Sequence, residues 1–331
     1  MRVAVIGAGS WGTTVAMLAS RNVPTILWAR RPEVAKEIVE DRSNRRYLPD
    51  YVLPEALEAT SDLEEAARAA DVLVVGVPSH GFRETLEMVA PYVRPWVPVV
   101  SLAKGLEQDS MLRMTQIVDQ VLPGHPAGVL TGPNLAKEIM SGNAAASVIG
   151  MQDLVVAEAL QDVFSGGLYR VYTNHDVIGC ELGGALKNVI AIATGMAQAL
   201  SVGDNTRAMV ITRGLAEVTR LGVAMGGEPA TFAGLAGLGD LLATCMSPQS
   251  RNRYVGEQLG RGRKIGEIIA DMNMVAEGVK TSAAVFELSK RYGVEMPVSE
   301  EIYAALYQDR DAGEAYRGLR HRKAGHERDS G

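Results

Sequence analysis

Cysteine, histidine and aromatic residues are scarce in this chain. Its 331 residues include two cysteines, five histidines and four phenylalanines. Cys180 and Cys245 cannot build a disulfide framework and stand at no zinc-ligand spacing. No His/Cys/Asp cluster suggests a metal. So few thiols suit a reducing compartment, and a cytoplasmic location is expected. An excess of basic charge is missing too: 33 Lys and Arg stand against 39 Asp and Glu, a net charge of −6. That argues against nucleic acid as a partner. No apolar run is read as reaching the roughly 18 residues of a membrane span. The run Val3–Ile6 meets glycine too soon to be the core of a signal peptide. What remains is ordinary globular composition, 47% hydrophobic and 22% charged. At about 150 residues per domain, two domains are expected.

The first half alternates short apolar runs with helical patterns. Val3–Ile6, Thr25–Trp28, Val72–Val75 and Val97–Leu102 read as strands, with Val129–Leu130 and Ala146–Ile149 as weaker ones. Trp11–Arg21, Pro32–Glu40 and Asp62–Ala70 read as helices, the last opened by a capping box at Ser61. A polar loop is expected from Asp41 to about Thr60. Buried strands separated by helices imply a parallel sheet of βαβ units. After about Val171 no strand is evident, and Val177–Leu200, Asn205–Met225, Leu238–Met246, Asn252–Leu259, Val279–Tyr292 and Ser299–Leu306 read as helices. The expected architecture is α/β: a Rossmann-type doubly wound sheet over residues 1–175, then an all-helical domain over 176–316. Residues 317–331, with five Lys/Arg and two Asp/Glu, read as a frayed, disordered tail.

Gly7-Ala8-Gly9-Ser10-Trp11-Gly12 is G-x-G-x-x-G between a strand and a helix, the context that gives the motif meaning. Gly7 makes the turn, Gly9 lets the backbone approach a pyrophosphate, and Gly12 lets the helix pack close to the sheet. The helix N-terminus faces the anion. The second strand then selects the dinucleotide. An NAD site usually carries an acid about 20 residues on. Leu27-Trp28-Ala29-Arg30-Arg31 has none, and two guanidinium groups suit a 2′-phosphate. NADP(H) is therefore expected to be preferred, with NAD(H) a possible second cofactor.

Two further loops lie at the carboxyl ends of strands. Lys104, in Ser101–Glu107, could reach a substrate phosphate or a developing oxyanion, or be an ordinary surface lysine. In Thr131–Glu138, Gly132 permits close backbone approach and Asn134 suits a helix cap or a ligand contact. In the helical half, Lys187 and Asn188 interrupt the apolar, glycine-rich stretch Glu181–Val189. Lysine is almost never buried without a partner or a task. Desolvation would lower its proton affinity toward general acid/base use; snorkelling is the plain alternative. Asp240 either caps its helix or orients Lys187 or a substrate hydroxyl. Ser250, Arg251 and Asn252 open a helix after Pro248, a pattern suited to phosphate. Glu277 lies in a glycine-bearing loop and could meet a nicotinamide amide or ribose.

In combination and order these motifs are specific. The chain resembles the bacterial soluble NAD(P)-dependent glycerol-3-phosphate dehydrogenases from its first strand to about Leu306. The resemblance rests on G-A-G-S-W-G-T, A-K-G-L-E, G-P-N-L-A-K-E, E-L-G-G-A-L-K-N-V, L-G-D-L, S-R-N-R and V-A-E-G. It implies reduction of dihydroxyacetone phosphate to sn-glycerol 3-phosphate for glycerophospholipid synthesis. It also implies Lys187 as catalytic proton donor or acceptor. Substrate contacts would fall to Lys104, Gly132, Asn134, Lys187, Asp240, Ser250, Arg251 and Asn252. Cofactor contacts would fall to Ser10, Trp11, Arg30, Arg31, Tyr47, Lys104, Ala136, Arg251, Val275 and Glu277. Two alternatives stay open: another NADP-dependent hydroxyacid-type dehydrogenase, and a non-catalytic NADP(H) sensor. The glycine- and alanine-rich helices could pack within one chain or across a homodimer.

Overall fold

The computed structural model describes residues 1–272 and 276–320. Residue contacts divide the chain into two units, one of Met1–Glu107 with Leu112–Val177, the other of Gln108–Met111 with the chain from Ile178 onward.

The first unit is built on eight strands: β1 (Val3–Ile6), β2 (Thr25–Trp28), β3 (Leu57–Thr60), β4 (Val72–Val75), β5 (Val99–Ser101), β6 (Ala127–Thr131), β7 (Ala145–Met151) and β8 (Tyr169–Asn174). They lie in the order β3-β2-β1-β4-β5-β6-β7-β8. The first six reproduce the Rossmann order, whose strand direction of travel reverses between β1 and β4. Helices α1 (Ser10–Ala19), α2 (Pro32–Glu40), α3 (Leu63–Ala69), α4 (Phe82–Val89), α5 (Met114–Val121), α6 (Ala136–Met140) and α7 (Leu154–Phe164) connect them. All four residues of β1 are buried because both sheet faces are covered. Val3 and Val5 join a layer with Val15, Leu18, Ile38 and Leu160. Ala4 and Ile6 join the opposite layer with Phe82, Leu86 and Ile117. The alternation of side chains along a strand sorts the two sets.

Four local readings needed correction. The segment expected to be loop through Thr60 ends in β3, whose Leu57-Glu58-Ala59-Thr60 pairs with β2; it is an edge strand with a single fully buried residue, so its apolar signal is weak. β7 runs antiparallel to β6, because the five-residue α6 turns the chain at the end of the sheet and cannot carry it back along a face. α3 is capped by Asp62, one residue later than Ser61: Asp62 Oδ1 accepts from the Glu65 backbone N–H at 3.1 Å. The sheet also continues past Val171, with β8 reaching Asn174.

The described helices of the second unit are α8 (Val177–Ala199), α9 (Asp204–Ala224), α10 (Pro229–Phe232), α11 (Asp240–Met246), α12 (Arg251–Gly260), α13 (Ile265–Asp271), α14 (Glu277–Tyr292), α15 (Pro297–Tyr307) and α16 (Ala312–Arg320). A π-helical turn, Leu235–Gly239, leads into α11. α16 includes the first four residues of the stretch expected to fray. Every residue of α8 from Gly179 to Ala197 is buried. By length and composition α8 could cross a membrane, contrary to the sequence reading, but 94% of its most apolar window is covered by protein. Glycines make this packing close: a Cβ on Gly195 would lie 2.1 Å from the Arg253 carbonyl oxygen, and one on Gly256 2.0 Å from that of Ile192. The small-residue faces of α8 and α12 therefore meet each other within the chain.

Glu217 of α9 caps α15 from a distance. Its carboxylate accepts from the Val298 N–H at 2.6 Å, the Ser299 N–H at 3.1 Å and the Ser299 hydroxyl at 2.9 Å. Burial outweighs these bonds and the charge of Arg220, and raises its pKa from 4.5 to about 7. A carboxyl whose folded pKa lies above its unfolded one stabilises the fold only while protonated. That contribution falls as pH rises from 4.5 to about 7, by up to about 3 kcal/mol at 1.36 per unit. Glu217→Gln carries no such proton. The melting temperature of the natural protein should therefore fall relative to Glu217→Gln as pH rises from 4.5 to about 7. A constant gap between the two would refute this.

Candidate active site

Each unit holds its own group of candidate residues. In the first, β1 ends at the glycine turn. Gly7 has φ +119°, and a Cβ there would lie 2.9 Å from the Gly76 carbonyl oxygen, just past β4. The turn thus sits where the strand order reverses. A Cβ on Gly12 would lie 2.0 Å from the Gly7 carbonyl oxygen, whereas one on Gly9 would meet nothing within 4 Å. The first and last glycines are needed for packing, and the middle one faces open space. α1 has no side-chain cap and no acid in its first turn, so its leading N–H groups can take an anion. The Trp11 Nε1 is buried and has no acceptor among the described residues. This cradle fits a dinucleotide pyrophosphate.

Around the turn, Ser10 Oγ donates to the Tyr47 carbonyl at 3.3 Å. Asn44 Nδ2 donates to the Ala8 carbonyl at 3.0 Å and to Thr13 Oγ1 at 2.9 Å. Asn44 ties the polar loop to the turn; the sequence reading missed it, since no motif marks that loop. Arg30 and Arg31 follow β2 and are exposed. At the ends of β5 and β6, Lys104 Nζ donates to the Gly132 carbonyl at 2.8 Å. Gly132 has φ +127°, and a Cβ there would crowd the Ala146 carbonyl oxygen at 3.2 Å. Asn134 and Ala136 continue the same loop, so Lys104, Gly132 and Asn134 come together.

In the second unit, Lys187 is buried in α8 with its side chain 6% exposed, and Asp240, 2% exposed, pairs with its Nζ through Oδ1. Lys187 Nζ also donates to Thr244 Oγ1 at 2.6 Å, and Thr244 donates to the Asp240 carbonyl at 2.7 Å. Glycine makes the meeting possible: a Cβ on Gly183, one helical turn before Lys187, would lie 2.6 Å from the Ala236 carbonyl oxygen in the π-helical turn. Gly239, not Asp240, is the helix cap, so the Asp240 side chain is left for Lys187. Lysine neither snorkels nor stands unpaired here. Thr244 was missed, although it lies four residues after Asp240 on the same helix face.

Ser250 caps α12, its Oγ accepting from the Arg253 N–H at 3.2 Å. Asn252 Nδ2 donates to Asn188 Oδ1 at 2.9 Å, and its Oδ1 accepts from the Gly278 N–H at 2.9 Å. Asn252 therefore locks α8, α12 and α14 together. Arg251 lies beside Glu277, whose charge opposes the lowering of its pKa by desolvation. Val275 lies outside the described residues.

Comparison with known proteins gives a consistent answer for both units. Residues 2–157 match the family described as the NAD-dependent glycerol-3-phosphate dehydrogenase N-terminus, and residues 176–317 match its C-terminus. A glycerol-3-phosphate dehydrogenase [NAD(P)+] of Sphingopyxis alaskensis is 59% identical over 319 residues, 96% of each chain. The chain belongs to the NAD-dependent glycerol-3-phosphate dehydrogenase family. A Mycobacterium tuberculosis glycerol-3-phosphate dehydrogenase [NAD(P)+] is 54% identical over 327 residues, covering 98% of this chain and 96% of that one. The crystal structure of the Coxiella burnetii glycerol-3-phosphate dehydrogenase superposes with a TM-score of 0.92 at 35% identity, covering 97% and 99% of the two chains. The family's paired N- and C-terminal descriptions correspond here to a sheet-based unit and a helical unit.

Proposed function

We propose that this family member reduces dihydroxyacetone phosphate to sn-glycerol 3-phosphate with NADPH in preference to NADH, in the cytoplasm, for glycerophospholipid synthesis. The observation that carries this reading is the buried Lys187–Asp240 pair in the helical unit of a dinucleotide-binding chain. A sensor of NADP(H) has no use for a buried lysine held to a carboxylate.

When bound, the nicotinamide would supply hydride to the ketone carbon. As negative charge builds on the ketone oxygen, Lys187 Nζ donates its proton there, and Asp240 holds the ammonium in place. Acid catalysis of this kind contributes about a hundredfold to ten-thousandfold. Lys104 adds fixed positive charge. Ser250 keeps its hydroxyl proton to donate, Arg251 supplies a guanidinium, and Asn252 retains one Nδ2 hydrogen; together they hold the substrate phosphate and convert its binding into orientation. Gly7, Gly9, Ser10, Trp11, Gly12, Tyr47 and Ala136 of the first unit would hold the cofactor, and Glu277 of the second would contact it.

NADPH oxidation with and without dihydroxyacetone phosphate, repeated with NADH, tests the reaction. Oxidation that ignores the ketone would refute it. For the cofactor, replacing Arg30 and Arg31 by alanine is expected to raise KM for NADPH about tenfold or more, at 1.5–3 kcal/mol per charged hydrogen bond, and to leave KM for NADH unchanged. Equal changes for both would show that the arginines do not read the 2′-phosphate.

A further inference from the structure

The first unit contains a buried chain of hydroxyl groups that the reaction above does not use. Tyr169 opens β8 and Ser147 lies on β7, at 3% and 0% exposure. In the β7–β8 register Tyr169 stands opposite Ala145, so its ring reaches diagonally to Ser147. The Tyr169 hydroxyl is hydrogen-bonded to Ser147 Oγ. Ser147 Oγ in turn donates to Asn134 Oδ1 at 2.5 Å. Serine has a single proton to give, so Tyr169 is the donor in the first bond. Burial pushes the Tyr169 hydroxyl well above the usual tyrosine range, and it keeps its proton.

The consequence falls on Asn134. Its oxygen is engaged by Ser147, and its Nδ2 is buried with no acceptor among the described residues. A shielded amide donor without an acceptor is unfavourable, and a ligand oxygen relieves it. Asn134 stands two residues after Gly132, whose carbonyl accepts from Lys104. The lysine and the amide therefore belong to one loop end.

We propose that Tyr169 and Ser147 are positioning residues that hold the Asn134 amide with Nδ2 presented as a donor to a substrate oxygen. This rests on the reduction of a phosphorylated ketone proposed above. The relay makes the position selective for a substrate with an acceptor there and against one with a donor, since the amide cannot turn over without breaking its bond to Ser147.

Steady-state kinetics on the full chain test it. The natural protein is assayed first with dihydroxyacetone phosphate and NADPH. Absence of ketone-dependent turnover removes the proposed function, and the relay proposal falls with it. Given turnover, Asn134→Asp is expected to raise KM for dihydroxyacetone phosphate about tenfold to a hundredfold, because an oxygen replaces the donor. KM for NADPH should stay within about twofold, well under one hydrogen bond's worth. Tyr169→Phe and Ser147→Ala should each raise the ketone KM about threefold to tenfold; Tyr169→Phe should melt near the natural protein and Ser147→Ala moderately lower, because it strands the buried Tyr169 hydroxyl. In an Asn134→Ala background the same changes should add nothing, as no amide remains to be oriented. If Tyr169→Phe folds poorly, Ser147→Ala carries the cycle alone. An unchanged ketone KM in the single variants overturns the proposal. So does the same penalty in both backgrounds, or a loss shared equally by kcat and both KM values, which marks a structural role.

Discussion

Lys187→Met is expected to lower kcat by about a hundredfold to ten-thousandfold, or about 3–5 kcal/mol at 1.36 per decade. The volume of the side chain is nearly kept, so the close packing of α8 is retained, while the buried Asp240 carboxylate loses its ammonium and the melting temperature falls. What disappears is the proton that Lys187 holds beside the buried Asp240 carboxylate. NADPH binding should persist, because the glycine turn and the arginines after β2 belong to the other unit. Fluorescence titration with NADPH alongside single-turnover kinetics reads both quantities. Turnover within about tenfold of the natural protein would fall short of acid catalysis and exclude Lys187 as the proton donor. Lys104 is the natural comparison. Lys104→Met removes fixed positive charge and leaves the Lys187 proton source intact. Its loss in kcat should be the smaller of the two.

The strands and glycine turn of the first unit were legible because buried parallel strands are short, continuous apolar runs and because G-x-G-x-x-G has a physical context. β1, β2 and β4 fall where the apolar runs lie. The edges of the sheet were less legible. β3 exposes its second residue and only half-buries its last two, and β8 alternates Tyr169, Val171 with exposed Arg170, Tyr172. Half-covered strands carry half the apolar signal. The reversal at β7 had no local signature, since direction is set by the length of the connection and not by the residues of the strand.

The site was legible at the level of residue types and only partly at the level of partners: pairing with Lys187 was one of the roles open to Asp240, and the structure selects it. A lysine in an apolar helix announces itself. That its partner is Asp240 depends on the approach of Ala236 to Gly183 through a π-helical turn, and no periodicity of the sequence encodes that contact. The same holds for Asn252. Its position after Ser250 and Arg251 suggested a phosphate contact, yet most of its hydrogen-bonding capacity is spent joining three helices. Tyr169 and Ser147 were not singled out at all, because a hydroxyl relay between adjacent strands exists only once their register is fixed.

Asp240→Ala separates the two tasks of the buried pair. Removing the carboxylate strands the Lys187 ammonium among buried side chains, which costs about 3–5 kcal/mol. The variant should therefore melt well below the natural protein and turn over poorly. Lys187→Met combined with Asp240→Leu removes both charges and fills the space. Replacing a whole buried pair by apolar groups is typically neutral or stabilising by about 1–4 kcal/mol. The double variant should then recover the melting temperature, remain folded by circular dichroism, and show no more turnover than Lys187→Met alone. That combination of recovered stability without recovered activity is what a pair retained for chemistry must give. If instead the double variant stays as unstable as Asp240→Ala, the pair is holding the π-helical turn against α8. Asp240 would then be structural first, and the proton-donor role would have to rest on Lys187 and Thr244 without it.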